Sequence, residues 1–362
     1  MELHQTALSC RGPMLDDTCW LGKSDGPRLK VRSTGATITA DACQPWIDEA
    51  PMKFALHFSN SNFSDAAGAK RLAQAAEASG FESLVVIEHV VWPTHYESKY
   101  PYSPTGRLPG GPETILPDPL IWMAFALAAT TRLKCMTGIL ILPQRNPVLL
   151  AKELATLDSM SAGRLELGIG VGWLREEFEA LGVPFERRGA RTDEYIEAMR
   201  QLWAKDDASY DGTFVNFKGM SCNPKPVNGA VPIHIGGHSE AAARRAAKYG
   251  DGFFPATGSQ VDIRPIIAHL HKLAVENGRD PASIEITSGC PGAIPGSGED
   301  PLKAVADAAA KGVGRVVLPV TAFMTGGPSG ATQHANTFGG LSAAGLEERL
   351  QEFGEKVIRQ VG

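Results

Sequence analysis

Glu88 and His89 stand at the end of a short apolar run, Leu84-Val85-Val86-Ile87, and are followed by Val90-Val91-Trp92-Pro93. An acid beside an imidazole at a strand end suits proton transfer near neutral pH, because histidine is the side chain whose ordinary pKa falls there. A hydrogen-bonded packing histidine is the competing reading from position alone. Gly168-Ile169-Gly170-Val171-Gly172-Trp173 puts alternating glycines at another strand end, where a ligand can approach closely because no Cβ stands in the way. The spacing is GxGxG, so the dinucleotide fingerprint is not met, and glycine also serves barrel bends. Ile235-Gly236-Gly237-His238-Ser239 leads into an alanine-rich helix carrying Arg244 and Arg245. Two glycines before a helix N-terminus expose N–H groups at the positive end of the helix dipole, a ready phosphate site, although Ser239 also reads as a simple N-cap.

Other chemistries find little support. There is no HExxH and no histidine triad among the nine histidines, with His269 and His271 on different helix faces, so no metal site is expected. No GxSxG nucleophile motif is present. Gly22-Lys23-Ser24 resembles the end of a P-loop, but Asp17 occupies the place of the required first glycine. The six cysteines form no CxxC pair, and three of them (Cys10, Cys19, Cys43) fall in residues 1–51. A net charge of −5 gives no footprint for nucleic acid or an anionic membrane. No run reaches the roughly 18 apolar residues of a membrane span, and the acidic N-terminus does not suit a transit peptide, so a cytoplasmic address is expected. A small-molecule substrate is the expected partner, with no nucleic acid and no membrane, and a homodimer stays open.

These residues need elements to hold them. With 43% hydrophobic residues and 39 glycines and 25 prolines in 362, the chain is globular rather than low-complexity. Residues 1–51 lack periodicity and read as a poorly ordered extension, and a domain is expected over 52–362. From Met52, eight candidate strands alternate with helices: 53–59, 83–88, 134–142, 164–170, 231–235, 251–254, 284–288 and 315–320. Their near-continuous apolar runs suit parallel strands covered on both faces. Asp118-Pro119, Asn146-Pro147 and Asp300-Pro301 predict helix starts, and Gly80, Gly163, Gly250, Gly278 and Gly312 predict helix stops. The α/β pattern therefore predicts a TIM (β/α)8 barrel with long insertions at its C-terminal mouth, a doubly wound open sheet being the runner-up. The insertions are the aromatic stretch 90–117, a hairpin around Asp211-Gly212, and the Gly/Ser/Thr-rich stretch 321–341.

The EHVVWP turn, TGILILPQRNPVLLAKELATLDSMSAGRLELGIGVGW and PIHIGGHSEAAARRAAKYGDGFFP together resemble the luciferase-like monooxygenase superfamily, in particular the branch that uses coenzyme F420 as well as FMN. The resemblance spans most of Met52 to Phe254. It implies an oxidoreductase that holds a deazaflavin, F420 by preference, or FMN at the barrel mouth. It further implies that Glu88 and His89 lie beside the reactive ring, with His89 exchanging a proton. Thr137, Gly138 and Ile139 would match the position where relatives have a cis peptide supporting the ring. Gly170, Gly172 and Trp173, with Glu176 or Glu177 just after, would lie near the cofactor, and Gly236, Gly237, His238 and Ser239 would contact its phosphate. One departure concerns the substrate: Pro255-Ala256-Thr257-Gly258-Ser259 lacks the lysine that binds substrate phosphate in sugar-phosphate relatives, which argues against a sugar phosphate. Two other readings stay open, a redox-inactive flavin-binding barrel and a phosphosugar isomerase or lyase barrel. The second is disfavoured because no lysine ends any predicted strand.

Overall fold

Short apolar strands are covered on both faces only when helices lie outside them and side chains fill the space within. The computed structural model, which describes residues 18–21, 29–32, 51–255, 262–324 and 342–361, meets that requirement with a closed parallel barrel. Its strands are β1 (Lys53–His57), β2 (Ser83–Val86), β3 (Lys134–Thr137), β4 (Leu165–Gly170), β5 (Ile233–Gly236), β6 (Gly252–Phe254), β7 (Glu285–Gly289) and β8 (Arg315–Pro319). Each pairs with its successor, and β8 returns to β1 through Val316↔Phe54.

A long helix follows every strand: α1 (Ala66–Ser79), α2 (Pro119–Ala128), α3 (Pro147–Met160), α4 (Arg188–Ala204), α5 (Glu240–Tyr249), α6 (Arg264–Glu276), α7 (Pro301–Ala309) and α8 (Leu346–Phe353). Asp118, Asn146 and Asp300 cap α2, α3 and α7, their side-chain oxygens accepting from first-turn N–H groups ahead of a first-turn proline. Gly80, Gly163, Gly278 and Gly312 end helices at positive φ, but Gly250 is extended at φ −77. Its glycine answers to space instead: a Cβ there would lie 2.8 Å from Gly252 O and 3.0 Å from Ala246 O.

Inside the ring, side chains two apart along each strand stack in layers. Arg315, fully buried at the start of β8, pairs with Glu166 at 2.7 Å, Glu285 at 3.0 Å and Glu82 at 3.4 Å. Lys53, Lys134 and His234 complete this charged floor. Above it, Ala55, Val85, Met136, Phe254 and Val317 form a separate apolar plug. The strand ends beyond the plug form the mouth.

Four strands end earlier than their apolar runs predict, β1 at His57 and β8 at Pro319 among them. β2 stops at Val86, and the predicted strand 134–142 breaks at Thr137, after which Leu140–Ile141 pairs in parallel with Ile169 and Gly170 of β4. The Asp211-Gly212 hairpin joins Ala208–Asp211 to Asn216–Met220. Residues 1–49 and 50–362 are separate compact units. Within the first, Thr18–Leu21 pairs antiparallel with Leu29–Arg32, a pairing that the sequence reading did not expect. The rest of the N-terminal segment, and residues 325–341 of the third insertion, lie outside the described residues. No described helix is long and apolar enough to cross a membrane.

Candidate active site

The break in β3 shapes the floor of the mouth. The peptide bond Gly138–Ile139 is cis, at the position where the resemblance places such a bond. The Ile139 side chain lies against β4 and β5: a Cβ on Gly170 would lie 1.9 Å from Ile139 Cδ1 and one on Gly236 would lie 2.7 Å from Ile139 Cγ2. These two glycines thus make room for a neighbouring side chain. Gly172 turns the chain at φ +79 against Phe178 and Ile141. The Thr137 hydroxyl points away from the mouth and donates to Gly168 O at 2.6 Å.

A cavity of about 560 Å³ opens over this floor. Gly138, Ile139, Gly236, Gly237, Glu88, His89 and Trp173 line it, together with His57, Trp92, Tyr100, Tyr102 and Phe254. Thr137, Gly170, Gly172, Glu176, His238 and Ser239 do not form its walls. Ser239 instead caps α5, its hydroxyl accepting from Ala242 N at 3.2 Å, while His238 packs edge-on against Tyr102. A second hollow between α1 and α8, lined by Lys70, Arg71 and Glu347, lies away from the strand ends.

Glu88 and His89, adjacent in sequence, do different work. Glu88 is buried; its carboxylate accepts from Ile141 N at 2.6 Å and from the Arg145 guanidinium, which also reaches Asp118 at 2.7 Å. Burial raises its pKa, and Arg145 and the Ile141 N–H oppose that rise. Every contact it makes is with a donor, as expected of a carboxylate held in an ion pair. His89 turns instead toward the helix Arg175–Ala180 after β4, where its Nδ1 lies 3.2 Å from Glu177 Oε2. The other oxygen of Glu177 accepts from Val90 N at 2.6 Å and Val91 N at 3.3 Å. Burial pushes the Glu177 carboxyl up, but the hydrogen bonds from His89 and the Val90 amide hold it below its usual range. A carboxylate on Nδ1 orients the ring and leaves Nε2 for proton exchange.

Glu176 serves the cover. Its Oε1 accepts from Glu97 N at 2.7 Å and Ser98 N at 3.2 Å, pinning the 87–118 loop, whose Tyr96 and Tyr100 pack on Trp173. Trp92 and Trp173 flank the His89 ring at 5.6 and 6.1 Å. Burial pushes the Tyr100 phenol up to about 12, so the cover presents neutral hydroxyls. Sequence reasoning named Glu177 only as an alternative to Glu176, and it missed His57 and Arg145. His57 ends β1 as His89 follows β2, so the same strand-end rule could have found it; Arg145 carried no local signal.

The family model described as luciferase-like monooxygenase matches residues 51–355. The chain is 34% identical over 294 residues to the uncharacterized protein Rv0940c of Mycobacterium tuberculosis, covering 80% of this chain and 94% of that one. It is 31% identical over 211 residues to the FMNH(2)-dependent dimethylsulfone monooxygenase of Pseudomonas fluorescens, covering 58% and 53%. Among solved structures it shares its fold with monooxygenase RslO1 of Streptomyces bottropensis (TM-score 0.64, 23% identity, 86% of this chain and 100% of that one). It also shares it with the coenzyme F420 dependent tetrahydromethanopterin reductase of Methanopyrus kandleri (TM-score 0.63, 16% identity, 86% and 100%). The closed barrel and a family match over residues 51–355 agree: the chain belongs to the luciferase-like monooxygenase family.

Proposed function

We propose that the protein is an oxidoreductase that uses F420, or in second place FMN, to move a hydride to or from a small organic substrate, with His89 exchanging the accompanying proton. The observation that carries this reading is His89 on the wall of a family barrel's cavity, held from behind by the buried Glu177. The cavity suits a flat ring with an anionic arm. Gly138, Gly236 and Gly237 line it without side chains, Trp173 offers an aromatic wall, and α5 begins three residues after Gly237, its positive dipole end at the glycine turn. A bound deazaflavin or flavin would supply the two-electron chemistry.

The protein's own residues supply the rest. Glu177 holds His89 so that Nε2 can take a proton from a substrate hydroxyl as its C–H hydride leaves, or return one in the reverse direction. Glu88, paired with Arg145, ties the end of β2 to the segment after the β3 break and keeps that wall rigid. The aromatic cover excludes water. A sugar phosphate substrate is disfavoured, because among the described residues the one lysine or arginine on the cavity lining, Lys311, shares that lining with Asp262, Glu299 and Asp307. Replacing His89 with Ala should lower turnover by about 10²–10⁴-fold while leaving cofactor affinity within a few-fold. Stopped-flow kinetics with a cofactor titration measures both, and unchanged turnover rejects the assignment.

A further inference from the structure

His57 is a second histidine of the cavity, and the proton-exchanging pair does not use it. It ends β1 in the floor, partly exposed to the interior, with its ring stacked on Phe58 at 4.0 Å and tilted against Phe254. Its Nε2 lies 3.1 Å from Gly138 O. A carbonyl oxygen can only accept, so Nε2 carries the hydrogen and the tautomer is set by the backbone. No group among the described residues pairs with Nδ1. In the neutral ring that atom is an acceptor and nothing else.

We infer that His57 is a specificity-determining residue whose Nδ1 selects a substrate carrying a hydrogen-bond donor, an O–H or N–H, and disfavours an anion at that position. The inference rests on the reading of this cavity as the substrate cavity of the proposed oxidoreductase. The surroundings agree with it. Burial keeps the imidazole neutral, holding its pKa down to about 4, so the ring offers no positive charge to a carboxylate or phosphate. The nearby carboxylate, Glu88, already has its donors in Ile141 and Arg145. The walls toward the cover are Trp92, Tyr100 and Trp173, which favour a neutral aromatic or apolar body behind that donor.

The experiment compares benzyl alcohol, benzyl methyl ether and benzoate, titrated into the full chain without added cofactor and read by quenching of Trp92 and Trp173 fluorescence. The wild type should bind the alcohol about fivefold or more tightly than the ether, the scale of one net hydrogen bond, and benzoate most weakly. His57→Phe should bring alcohol and ether to within about twofold, and His57→Gln, which keeps an amide donor and an acceptor, should retain the preference. Equal binding of alcohol and ether by the wild type, benzoate binding as tightly as the alcohol, or a preference that survives in His57→Phe overturns the inference. The wild-type comparisons decide even if His57→Phe fails to fold. If the alcohol preference stands while neither F420 nor FMN binds, His57 selectivity is upheld and the redox reading alone fails.

Discussion

Glu177→Gln is the sharpest perturbation of the proposed proton exchange, because it keeps the size of the side chain and removes its charge. Glu177 accepts at 2.6 and 3.3 Å from two backbone amides on one oxygen, and the other oxygen meets His89 Nδ1 at 3.2 Å. A glutamine there keeps its carbonyl on the amides and turns its NH₂ toward Nδ1. Two donors then face each other, so His89 adopts the opposite tautomer and its Nε2 no longer accepts a proton. A charge-assisted hydrogen bond is worth about 1.5–3 kcal/mol, which converts to a fall in turnover of roughly ten- to 150-fold. Cofactor affinity should hold. The pH dependence has a definite sign: the folded-state carboxyl lies below its ordinary 4.5, so the pair persists as pH falls past 4.5 and is lost only through the lowered value. Steady-state kcat and KM with F420 or FMN and a panel of alcohols measure the effect, and ¹⁵N NMR of His89 reads the tautomer. A Glu177→Gln enzyme within twofold of wild-type kcat, folded and with its tautomer unchanged, refutes the reasoning.

Four further outcomes follow from the packing. Arg315→Ala leaves Glu82, Glu166 and Glu285 facing one another at the bottom of the barrel and should cost about 3–5 kcal/mol in urea denaturation; a loss under 1 kcal/mol contradicts the charged floor as a coupled unit. Burial opposes the charge on Glu166, yet His234 and Arg315 hold its pKa well below the ordinary value, so this contribution is present above the unfolded carboxyl range and fades as pH falls through the lowered value; melting curves across acid pH test the sign. Gly236→Ala sets a Cβ 2.7 Å from Ile139 Cγ2 and should weaken cofactor binding at least tenfold, with Ile139→Ala restoring part of it; a titration showing no change removes Ile139 from the floor. Glu176→Ala should free the 97–98 backbone, so that limited proteolysis cuts the cover faster than in the wild type while the melting temperature changes little.

The barrel was legible in the sequence because its signals are local. Asp118, Asn146 and Asp300 announce helix starts within two residues, and apolar runs such as 84–87 announce strands covered on both faces. The site was legible only in part. Glu88 and His89 are adjacent in sequence, but which carboxylate meets His89 depends on a helix that begins 86 residues further on, after β4. Gly170 reads as an opening for a ligand and Gly236 as part of a phosphate turn, whereas the space both leave belongs to Ile139, a neighbour in the break of β3. Arg145 and His57 gain their roles from contacts made across the closed ring, 57 and 81 residues away in sequence. Spacing along the chain carries no record of such pairings. The hairpin at 18–21 and 29–32 was missed for another reason: its four-residue strands are too short to show a period against the surrounding glycines and prolines.

Equilibrium titration of the purified chain with F420 and, separately, with FMN decides whether the barrel mouth is a cofactor site. F420 should bind saturably, one to one, with its affinity preserved in His89→Ala and weakened in Gly236→Ala. Tight FMN binding with none of F420 would overturn the choice of cofactor, and binding of neither would refute the proposed oxidoreductase.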